Sequence, residues 1–394
     1  MKCEWKIMCA DEFCFAVTDG THDSPKPQLS GRKLITSKHL KGTHIDFDSA
    51  NWIKEEDYKK IVLRSKVDQW DILYSMIGTL GNLYIEKNAD TEYACKNVGI
   101  FKLNGNKNDS YWLYYYLQSK NAREYINAQL RGSTQSYIPL GALRRMPIIV
   151  PPENIRKKII DILRAFDDKI ELNNRINDNL YEMVNAYYKK LFTVQKSELT
   201  TVNAYALKIY SGGTPTTSNA AYWEGTFNWL SSGETRNRFI VSTEKAITQE
   251  GINNSSTKLA HKYDIVMASA GQGFTRGQTS MLLLDTYVNQ SIIVIHADNI
   301  YLPFIFWNLA NRYEELRAIS DSSSIRGSLT TKMIASFEIP VADLSTIADF
   351  SDFAWSIIPQ IENNLLENAR LTMLRNSLLP KLMSGEIDVS GIQL

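Results

Sequence analysis

The stretch that decides the fold runs from Glu153 to Phe192 and reads ENIRKKIIDILRAFDDKIELNNRINDNLYEMVNAYYKKLF. Its apolar residues recur mostly at steps of three and four, which predicts one long amphipathic helix with a single apolar stripe. At ~1.5 Å per residue such a helix is ~60 Å long, so we expect the stripe to require a partner helix. The stripe consists of Ile155, Ile159, Ile162, Phe166, Ile170, Ile176, Leu180, Met183, Tyr187 and Leu191.

The opposite face of this predicted helix is charged and rich in amides, and it includes Asn173, Asn174 and Asn177. Polar faces of long helices are usually solvated, so we expect these three side chains to be exposed. The alternative is that the amides contact a partner protein.

A second run of the same kind extends from Leu344 to Met383. We expect the two helices to pack antiparallel as a coiled coil, because a parallel pair would place both preceding domains at one end. The apolar residues of the second run are Ile347, Phe350, Ala354, Ile357, Ile361, Leu371, Leu374, Leu378 and Leu382. The expected neighbours across the apolar seam are Phe166, Ile170, Ile357 and Ile361.

The two runs belong to an internal repeat with an offset of 191 residues. The offset relates Leu191 to Leu382, and it already relates Ile138 to Leu329, which precede the predicted helices. No gap is needed across roughly fifty positions, so the match is more than a likeness between two helices. Earlier segments repeat in the same order. A strand pattern is followed by an expected helix, at 112–130 in the first half and at 304–319 in the second.

The repeat predicts a domain followed by a long helix, twice. We expect a first domain at residues 1–150, a long helix at 151–195, a second domain at 196–340 and a second long helix at 341–394. The predicted fold class is α+β, with two pseudo-repeated mixed α/β domains joined by two long antiparallel coiled-coil helices.

Length and charge restrict the functional classes. The 394 residues exceed what one hydrophobic core supports and suit two domains with connecting elements. The formal net charge of +1 argues against a stand-alone nucleic-acid binder of high affinity. Residues 1–150 carry 21 basic and 17 acidic side chains, whereas residues 341–394 carry 3 and 7. A polyanion is therefore expected to bind the first half more favourably, or with help from another subunit.

The sequence also bears on the compartment. No apolar run approaches the ~20 residues of a membrane span, and Glu4 interrupts the region where a signal peptide would be apolar. The four cysteines fit no zinc spacing; they are Cys3, Cys9, Cys14 and Cys95. We expect reduced thiols, a cytoplasmic location and no membrane partner.

Motifs for enzyme chemistry are missing from the sequence. Val150-Pro151-Pro152-Glu153 lacks both ends of the Asp/Asn-Pro-Pro-aromatic loop with which an amino-methyltransferase holds its target. The glycine loop at residues 271–273 is not followed by the Gly-Lys-Ser/Thr of a phosphate-binding loop. The five histidines show no metal-ligand spacing. We therefore expect neither catalytic residues nor a metal site.

Polar loops are the segments of the chain that we expect to contact DNA bases. Base edges of DNA are read by polar side chains, with Arg suited to guanine and Asn or Gln to adenine. The glycine-rich loop 271–278 allows a close backbone approach, and the loop 231–238 contains two arginines and an asparagine. The alternative is that these are ordinary surface loops, and that segments 131–136 and 322–327 are only the ends of helices.

The candidate DNA-binding residues of the first half are Thr21, His22, Lys26, Arg32, Lys33, Lys38, Thr79, Asn82, Arg131, Ser133 and Gln135. Those of the second half are Thr214, Thr216, Ser231, Ser232, Arg236, Asn237, Arg238, Gln272, Thr275, Arg276, Gln278, Ser324 and Arg326. Arg276 is expected to contact a base, so that its loss would relax one position of the target.

At three places the sequence resembles the specificity subunits of type I restriction–modification systems. Tyr210-Ser211-Gly212-Gly213-Thr214-Pro215-Thr216 resembles the opening of a target-recognition domain of that family, and residues 19–25, DGTHDSP, are similar to another variant of this opening. Residues 378–387, LLPKLMSGEI, are similar to the C-terminal signature of the family. The resemblance covers essentially the whole chain.

What the resemblance implies is a non-catalytic DNA-specificity subunit that carries no cofactor itself. It implies double-stranded DNA, two methyltransferase subunits and restriction subunits as partners, with S-adenosylmethionine, ATP and magnesium bound by those partner subunits. The two recognition domains would read the two halves of a bipartite, non-contiguous site. The long helices would set the spacer and dock the methyltransferases.

An alternative hypothesis, from another functional class, is a coiled-coil scaffold that displays two protein- or glycan-binding domains. A scaffold for one ligand is expected to carry like loops in both domains, whereas a bipartite reader carries unlike loops on like frames. The loops at residues 19–22 and 212–215 differ in sequence, which favours the bipartite reader.

Overall fold

The computed structural model describes residues 5–42, 44–193, 198–271, 275–322 and 327–392. Within these residues the helices, numbered in chain order, are α1 Ala10–Phe13, α2 Glu55–Ser65, α3 Lys107–Leu117, α4 Lys120–Gln129, α5 Leu140–Arg144, α6 Glu153–Phe192, α7 Gln249–Asn253, α8 Leu302–Ala310, α9 Tyr313–Ser322, α10 Thr331–Ala335 and α11 Leu344–Met383. The strands are β1 Lys6–Cys9, β2 Ala16–Asp19, β3 Arg32–Thr36, β4 Asn51–Ile53, β5 Ile72–Ser75, β6 Leu83–Ile85, β7 Tyr93–Lys96, β8 Val98–Lys102, β9 Pro147–Val150, β10 Leu199–Thr201, β11 Ala206–Ser211, β12 Trp223–Leu230, β13 Phe239–Ile240, β14 Lys245–Ile247, β15 Lys258–Ala260, β16 Ile265–Ala268, β17 Thr279–Leu282, β18 Thr286–Val288, β19 Ile292–Ala297 and β20 Glu338–Pro340.

The chain divides into two compact units. Unit 1 comprises residues 1–168 and 371–394, and unit 2 comprises residues 169–370. Each unit contains one part of α6 and one part of α11, because the core of each unit packs on both helices. The sequence-based boundaries at residues 150, 195 and 340 instead separate the domains from the helices, and that division stays a prediction.

The larger sheet of unit 1 is built around β8. Among the described residues one sheet has the strand order β2-β8-β5-β6, and a second has the order β4-β3-β7. β8 pairs antiparallel with both β2 and β5, and β3 pairs parallel with β7. β1 and β9 form an antiparallel ribbon, which leads directly into α6.

Unit 2 repeats this frame. Its sheets have the orders β11-β19-β16-β17-β13 and β14-β12-β18-β15 within the described part of the chain. β19 pairs antiparallel with β11 and β16, and β12 pairs parallel with β18, as their counterparts do in unit 1. β10 and β20 form the ribbon before α11. The predicted internal repeat and fold class are therefore confirmed, and β13 and β15 are additions of unit 2.

Aromatic side chains tie each sheet to the long helices. In unit 1, the fully buried Trp112 donates from Nε1 to the Ile149 carbonyl at 3.1 Å and shares a core with Leu163 of α6 and Leu382 of α11. The ring centroid of Trp5 lies 6.2 Å from that of Trp112. The core of unit 1 is therefore continuous with both helices.

The core of unit 2 centres on Phe350 of α11, which is fully buried. Its ring centroid lies 5.5 Å from that of Tyr188 and 5.6 Å from that of Phe192, both on α6. It also lies 5.9 Å from the ring centroid of Trp307 on α8. One side chain thus joins both long helices to the helix that covers the sheet.

The long helices pack antiparallel within each unit, as predicted. In unit 1, Asp167 of α6 accepts a hydrogen bond from Arg375 of α11 at 2.5 Å. Lys158, nearer the start of α6, donates at 2.7 Å to the carbonyl of Ser390, which follows the C-terminal end of α11, so the two helices run in opposite directions. In unit 2, Lys169 of α6 lies 3.2 Å from Glu367 of α11. The Asp167 carboxylate also accepts from Tyr115 at 2.7 Å, which links α3 to this helix pair.

The predicted face and register of the pair are wrong in detail. Met183, expected in the apolar stripe, is 44% exposed, whereas the next residue, Val184, is fully buried. One residue corresponds to a rotation of about 100°, and α6 turns this way because Tyr181 and Tyr188 pack against unit 2. Ile361 lies beside Asn177, whose side chain reaches its carbonyl at 3.4 Å. The seam register is therefore shifted by about two turns from the expected neighbour Ile170.

The amides expected on the solvated face lie in the helix seam instead. Asn173 is fully buried and Asn177 is 9% exposed, whereas Asn174 beside them is exposed. The hydrogen bond from Asn173, followed by that from Lys169, holds the pKa of the Glu367 carboxyl below its usual range. The expectation of a fully solvated amide face is therefore corrected.

The predicted helices at 112–130 and 304–319 are each broken in two. α3 ends at Leu117, and α4 begins after Ser119, whose hydroxyl accepts from the Ala122 amide at 3.3 Å. α8 and α9 are separated in the same way after Ala310. Among the described helices, none combines the length and the hydropathy that a bilayer span requires.

Phe350 gives a test of this packing. Replacing Phe350 with Ala should lower the free energy of unfolding by ~3–5 kcal/mol, because the cavity would lie between α6, α8 and α11. The measurement is chemical denaturation of the full chain. Phe15, which is 72% exposed, provides the control, and Phe15→Ala should change the value by less than ~0.5 kcal/mol. Equal effects of the two changes would contradict the assigned core.

Candidate functional site

Polar loops of unit 1 converge where β8 begins. Asp19 of β2 and Tyr74 of β5 both lie opposite Gly99 of β8, so the loops that leave β2 and β5 emerge at one edge of the sheet. The turn that enters β8 lies at the same edge. We call this region, with residues 20–26, 37–38, 76–82, 96–97 and 131–137, the unit 1 loop edge.

The first loop of this edge is held against the turn before β8. His22 Nδ1 lies 2.8 Å from Asn97 Oδ1, and its Nε2 lies 3.0 Å from Asp19. The Thr21 amide donates to the Cys95 carbonyl at 2.9 Å. His22 remains largely exposed, as does Lys26 further along the loop. These contacts fix the loop backbone and leave polar side chains facing solvent.

The loops at 76–82 and 131–137 meet at the same edge. The Ile138 amide donates to the Met76 carbonyl at 2.9 Å, and Arg131 and Tyr137 exchange backbone hydrogen bonds of 2.8 and 2.9 Å that close the second loop. Every residue from 131 to 137 is exposed, and so is Thr79. Asn82 is half-buried and donates to the Leu40 carbonyl at 2.7 Å, so its amide braces the edge.

Two of the predicted first-half residues lie elsewhere. Arg32 and Lys33 begin β3, whereas the loop edge lies beyond the other end of that strand, at Lys38. The hydrogen bonds that Arg32 donates to Glu92 and then to Glu55 raise the pKa of its guanidinium. Lys33 donates to the Ala50 carbonyl at 2.9 Å. The grouping of Arg32 and Lys33 with the reading loops is therefore corrected, whereas Lys38 is exposed at the edge.

The equivalent edge of unit 2 lies where β19 begins. Ser211 of β11 lies opposite Ile293, and Ala268 of β16 lies opposite Ile292, so the loops after these strands emerge together. The Asn289 amide donates to the Leu230 carbonyl at 3.2 Å, which brings the loop after β12 to the same place. We call residues 212–216, 231–237, 269–271, 275–278 and 289–291 the unit 2 loop edge.

A close backbone crossing explains the glycines that open both first loops. A Cβ at Gly212 would lie 1.9 Å from the Val288 carbonyl oxygen, and a Cβ at Gly20 would lie 2.2 Å from the Cys95 carbonyl oxygen. No side chain fits at either distance, so glycine is required where the loop crosses the adjacent strand. The two openings differ in sequence and share this crossing.

The predicted residues of the first unit 2 loop lie at the edge. The Thr214 hydroxyl contacts the Gln290 side chain, and Thr216 is exposed. In the next loop, the Ser231 hydroxyl donates to Glu234 at 3.0 Å, and Ser232 is half-buried beside it. Thr214, Thr216 and Ser232 therefore lie at the unit 2 loop edge, and Ser231 fixes its own loop there.

The arginines of the 231–238 loop are engaged to different degrees. Arg236 is exposed and pairs with Glu244 at 2.6 Å, and Asn237 is exposed next to it. The Arg238 guanidinium lies 4.3 Å from the ring centroid of Tyr181 and 3.5 Å from Asp178, both on α6. Arg238 thus anchors the loop to the long helix, which corrects its grouping with the reading side chains.

Arg276 is the clearest correction. It is 4% exposed, its guanidinium pairs with Asp321, and Nη1 donates to the Gly327 carbonyl at 3.2 Å. This side chain therefore joins the loop after β16 to the segment after α9 and does not extend toward a base. Thr275 and Gln278 flank it and are half-buried. The predicted residues Gln272, Ser324 and Arg326 lie outside the described residues.

The loops after β5 and β16 are braced in the same way. The Leu329 amide donates to the Ser269 carbonyl at 2.8 Å, as Ile138 does to Met76 in unit 1. Sequence reasoning missed the turns before β8 and β19, where Asn97 and Gln290 hold the first loops. Aligning the two halves would have found this pair, because an offset of 193 residues places one carboxamide on the other.

The arrangement suits binding of an extended polar surface. Unit 1 has exposed Lys26, Lys38 and Arg131 beside hydroxyl and amide groups. Unit 2 has exposed Thr216 and Asn237, and its exposed Arg236 is paired with Glu244. Lysine and arginine attract phosphates, and amides and hydroxyls can bind base edges. Among the described residues no group of three or more possible metal-ligating side chains occurs.

Comparison with known proteins agrees with this arrangement. A family model described as the type I restriction modification DNA specificity domain matches residues 28–182 and again 207–372. The chain is similar to the type I restriction enzyme HindI specificity subunit of Haemophilus influenzae, with 22% identity over 406 residues, which covers 82% of this chain and 88% of that protein. The EcoR124I/EcoR124II specificity subunit of Escherichia coli is 28% identical over 213 residues, covering 51% of this chain and 52% of that one.

Among solved structures, the S subunit of a type I restriction–modification system from M. genitalium has a TM-score of 0.55 and 16% identity to this chain. The match covers 97% of this chain and 96% of that one, which shows a common fold. A scaffold for protein or glycan ligands finds no support in these comparisons.

The corrected role of Arg276 predicts an effect on stability. Arg276→Ala should lower the free energy of unfolding by ~1.5–3 kcal/mol, because it removes charge-assisted hydrogen bonds and leaves the Gly327 carbonyl without this donor. Arg236→Ala, at an exposed ion pair, should cost no more than ~1 kcal/mol. Thermal unfolding of both variants checks this. An Arg276 variant as stable as the Arg236 variant would restore Arg276 as a candidate reading residue.

Proposed function

This chain belongs to the family of type I restriction modification DNA specificity proteins, and we propose that it reads a bipartite DNA target, one half-site with each unit. Its relatives are specificity subunits, which are the DNA-recognition component of these systems and not the catalytic one. The observation that carries the proposal is the loop edge, which is built twice on one frame with different side chains.

Shared frames with unlike loops suit a target whose halves differ in sequence. The frame fixes loop positions through equivalent backbone hydrogen bonds, at Ile138 in unit 1 and Leu329 in unit 2. The side chains on these loops then decide which base edges are bound. Gln135 is exposed in unit 1 and Asn237 is exposed in unit 2, and both carry the carboxamide that suits adenine. Phosphate contacts would come from Lys26, Lys38 and Arg131.

Among the described residues, we propose a subset of the predicted ones as DNA contacts, and the predicted residues Gln272, Ser324 and Arg326 stay predictions. In unit 1 the proposed contacts are Thr21, His22, Lys26, Lys38, Thr79, Arg131, Ser133 and Gln135. In unit 2 they are Thr214, Thr216, Ser232, Arg236, Asn237, Thr275 and Gln278. The modest net charge of +1 fits a subunit that binds DNA together with partner subunits.

Exposed apolar side chains on the long helices support docking of methyltransferase subunits. In unit 2, a groove of about 370 Å³ on α6 and α11 is lined by Met183, Ala186, Tyr187, Lys190 and Phe353. Its floor is apolar and its edge carries a lysine, which is the composition of a protein-binding surface.

The internal repeat supplies a matching position in unit 1. The offset of 191 residues relates Met183 to Leu374, and these side chains are 44% and 51% exposed. The same offset relates Lys190 to Lys381. Equivalent exposed apolar positions suit two copies of one partner, so we assign one methyltransferase subunit to each. Restriction subunits would join this complex, and S-adenosylmethionine, ATP and magnesium would be bound by the partner subunits.

The proposal that each unit binds its own half-site, which we call the two-reader proposal, is tested by a binding selection. The chain, assembled with methyltransferase subunits, is selected against a library of DNA sites whose two halves are separated by a gap. The unaltered complex should select a split motif. Gln135→Ala should relax one position in one half-site, at a cost of ~1–3 kcal/mol, and leave the other half-site unchanged. Asn237→Ala should relax the opposite half-site.

Lys120→Ala is the control for this experiment, because Lys120 is exposed at the start of α4 and away from the loop edge. It should change neither half-site. Selection of a contiguous site, or relaxation of both half-sites by one variant, would overturn the two-reader proposal.

The docking proposal predicts a change in stoichiometry. Met183→Glu and Leu374→Glu should each remove one methyltransferase subunit from the complex, since a carboxylate at the centre of an apolar contact is left unpaired. The double variant should retain none. Native mass spectrometry of the mixed subunits gives the count, and Glu182→Ala, at an exposed position next to Met183, is the control. Full assembly in the double variant would place docking elsewhere.

A further inference from the structure

The α6–α11 seam in unit 2 is filled by asparagines at its end near Lys169 and Arg370. Asn173 and Asn177 of α6 are 0% and 9% exposed, and Asn364 and Asn368 of α11 are 6% and 9% exposed. Buried seam positions in a helix pair are usually apolar, because an amide loses its water there. We call these four residues the amide ladder.

The ladder consists of two hydrogen-bonded pairs. Asn173 Nδ2 donates to Asn368 Oδ1 at 2.9 Å, and Asn364 Nδ2 donates to Asn177 Oδ1 at 2.8 Å. Asn368 Nδ2 donates in turn to Asn174 at 2.8 Å. Each asparagine of the ladder therefore makes a side-chain hydrogen bond across the seam.

The ladder follows the internal repeat. The offset of 191 residues relates Asn173 to Asn364 and Asn177 to Asn368. Exchanging the two helices therefore converts one pair into the other, so the ladder has a local pseudo-twofold symmetry. The amides are a property of both repeats and not of one helix alone.

On α6 the ladder also occupies a stretch that the described apolar clusters leave uncovered, whereas on α11 the unit 2 cluster extends to Leu365. Among the described residues, the unit 1 core includes α6 as far as Leu163, and the unit 2 core includes α6 from Leu180 onward. In the described apolar clusters, α6 contributes nothing between these two residues. On the α6 side of this stretch, directional hydrogen bonds and the Lys169–Glu367 ion pair are therefore the contacts that distinguish one helix register from another.

We propose that the amide ladder locks the register of α6 against α11 and thereby fixes the number of base pairs between the two half-sites. The inference rests on the proposed function, because it needs a split target whose gap depends on the helix pair. It goes further in assigning the choice of gap to four identified side chains.

Both asparagine pairs of the ladder can form together in one register only. If the helices slide by one turn in either direction, just one asparagine pair can form, and two amides lose their partners. One turn is ~5.4 Å, compared with ~3.4 Å per base pair of DNA, so a slip corresponds to a gap change of one to two base pairs. In a helix seam, buried asparagines specify the register more strictly than apolar side chains at the same positions do.

Three double variants of identical composition separate the ladder from simple hydrophobicity. Asn173→Leu with Asn368→Leu removes one complete pair and leaves the other, Asn177 with Asn364. Asn173→Leu with Asn364→Leu leaves Asn177 and Asn368, which do not face each other. Asn177→Leu with Asn368→Leu leaves Asn173 and Asn364, which likewise do not face each other. We call the first variant matched and the other two crossed.

Each variant is assembled with methyltransferase subunits and selected against half-sites separated by gaps that vary in single base pairs. The matched variant should keep the gap preference of the unaltered protein. The crossed variants should discriminate about tenfold less against a neighbouring gap, because their two remaining asparagines lack their ladder partners in the original register and face each other only after the helices slide by one turn. Half-site sequences should stay the same in all three.

The outcomes separate the two proposals. If the unaltered protein selects no split motif, the proposed function fails. If it selects one and the crossed variants keep its gap preference, or the matched variant loses it equally, the register inference alone fails. Helical circular dichroism checks folding. Should a crossed pair not fold, Asn173→Leu and Asn364→Leu are measured singly, and unchanged gap discrimination in both overturns the inference.

Discussion

Burial of one stripe on each of two 40-residue helices is the constraint on which the rest of the structure depends. A helix of that length is not stable alone, because its stability comes from packing of its buried face. α6 meets this need by packing on α11 and on the sheets of both units, and α11 does the same. The antiparallel pairing lets one chain of two repeats provide both helices. Each unit therefore has a core that includes both helices, and its loops are held on a rigid frame.

The loop edges show how one frame carries different side chains. Gly20 and Gly212 allow the same close backbone crossing, and the loops beyond them diverge. Much of the positive charge predicted for these loops is used inside the units. Arg32 is held by Glu55 and Glu92, Arg238 lies on α6, and Arg276 braces two segments through Asp321. The groups left free for a ligand at the described edges are therefore largely hydroxyls and carboxamides, with a few lysines and arginines in unit 1.

The sequence by itself determined the elements that depend on local pattern and on self-similarity. The steps of three and four predicted both long helices with the bounds that the structure has, Glu153–Phe192 and Leu344–Met383. The offset of 191 residues predicts the repeat, and the antiparallel pairing is expected from that repeat. The sequence alone predicts these features, because helix periodicity and internal repeats are properties of the order of residues along the chain. The motifs at residues 19–25, 210–216 and 378–387 together predicted the family for the same reason.

Only the tertiary structure decided which face of each helix is buried and which polar side chains are free. Met183 lies outside the seam and Asn173 lies inside it, because aromatic residues of unit 2 turn α6 by about one residue. Its sequence context predicts that Arg276 is exposed on a loop. In the fold, Asp321, which is 45 residues later in the sequence, lies beside Arg276 and pairs with it. Hydrogen bonds and ion pairs of this kind join residues remote in sequence, and their partners are set by the packing of whole sheets and helices. Local composition therefore placed the loops, and only long-range contacts determined which of their side chains remain available to bind.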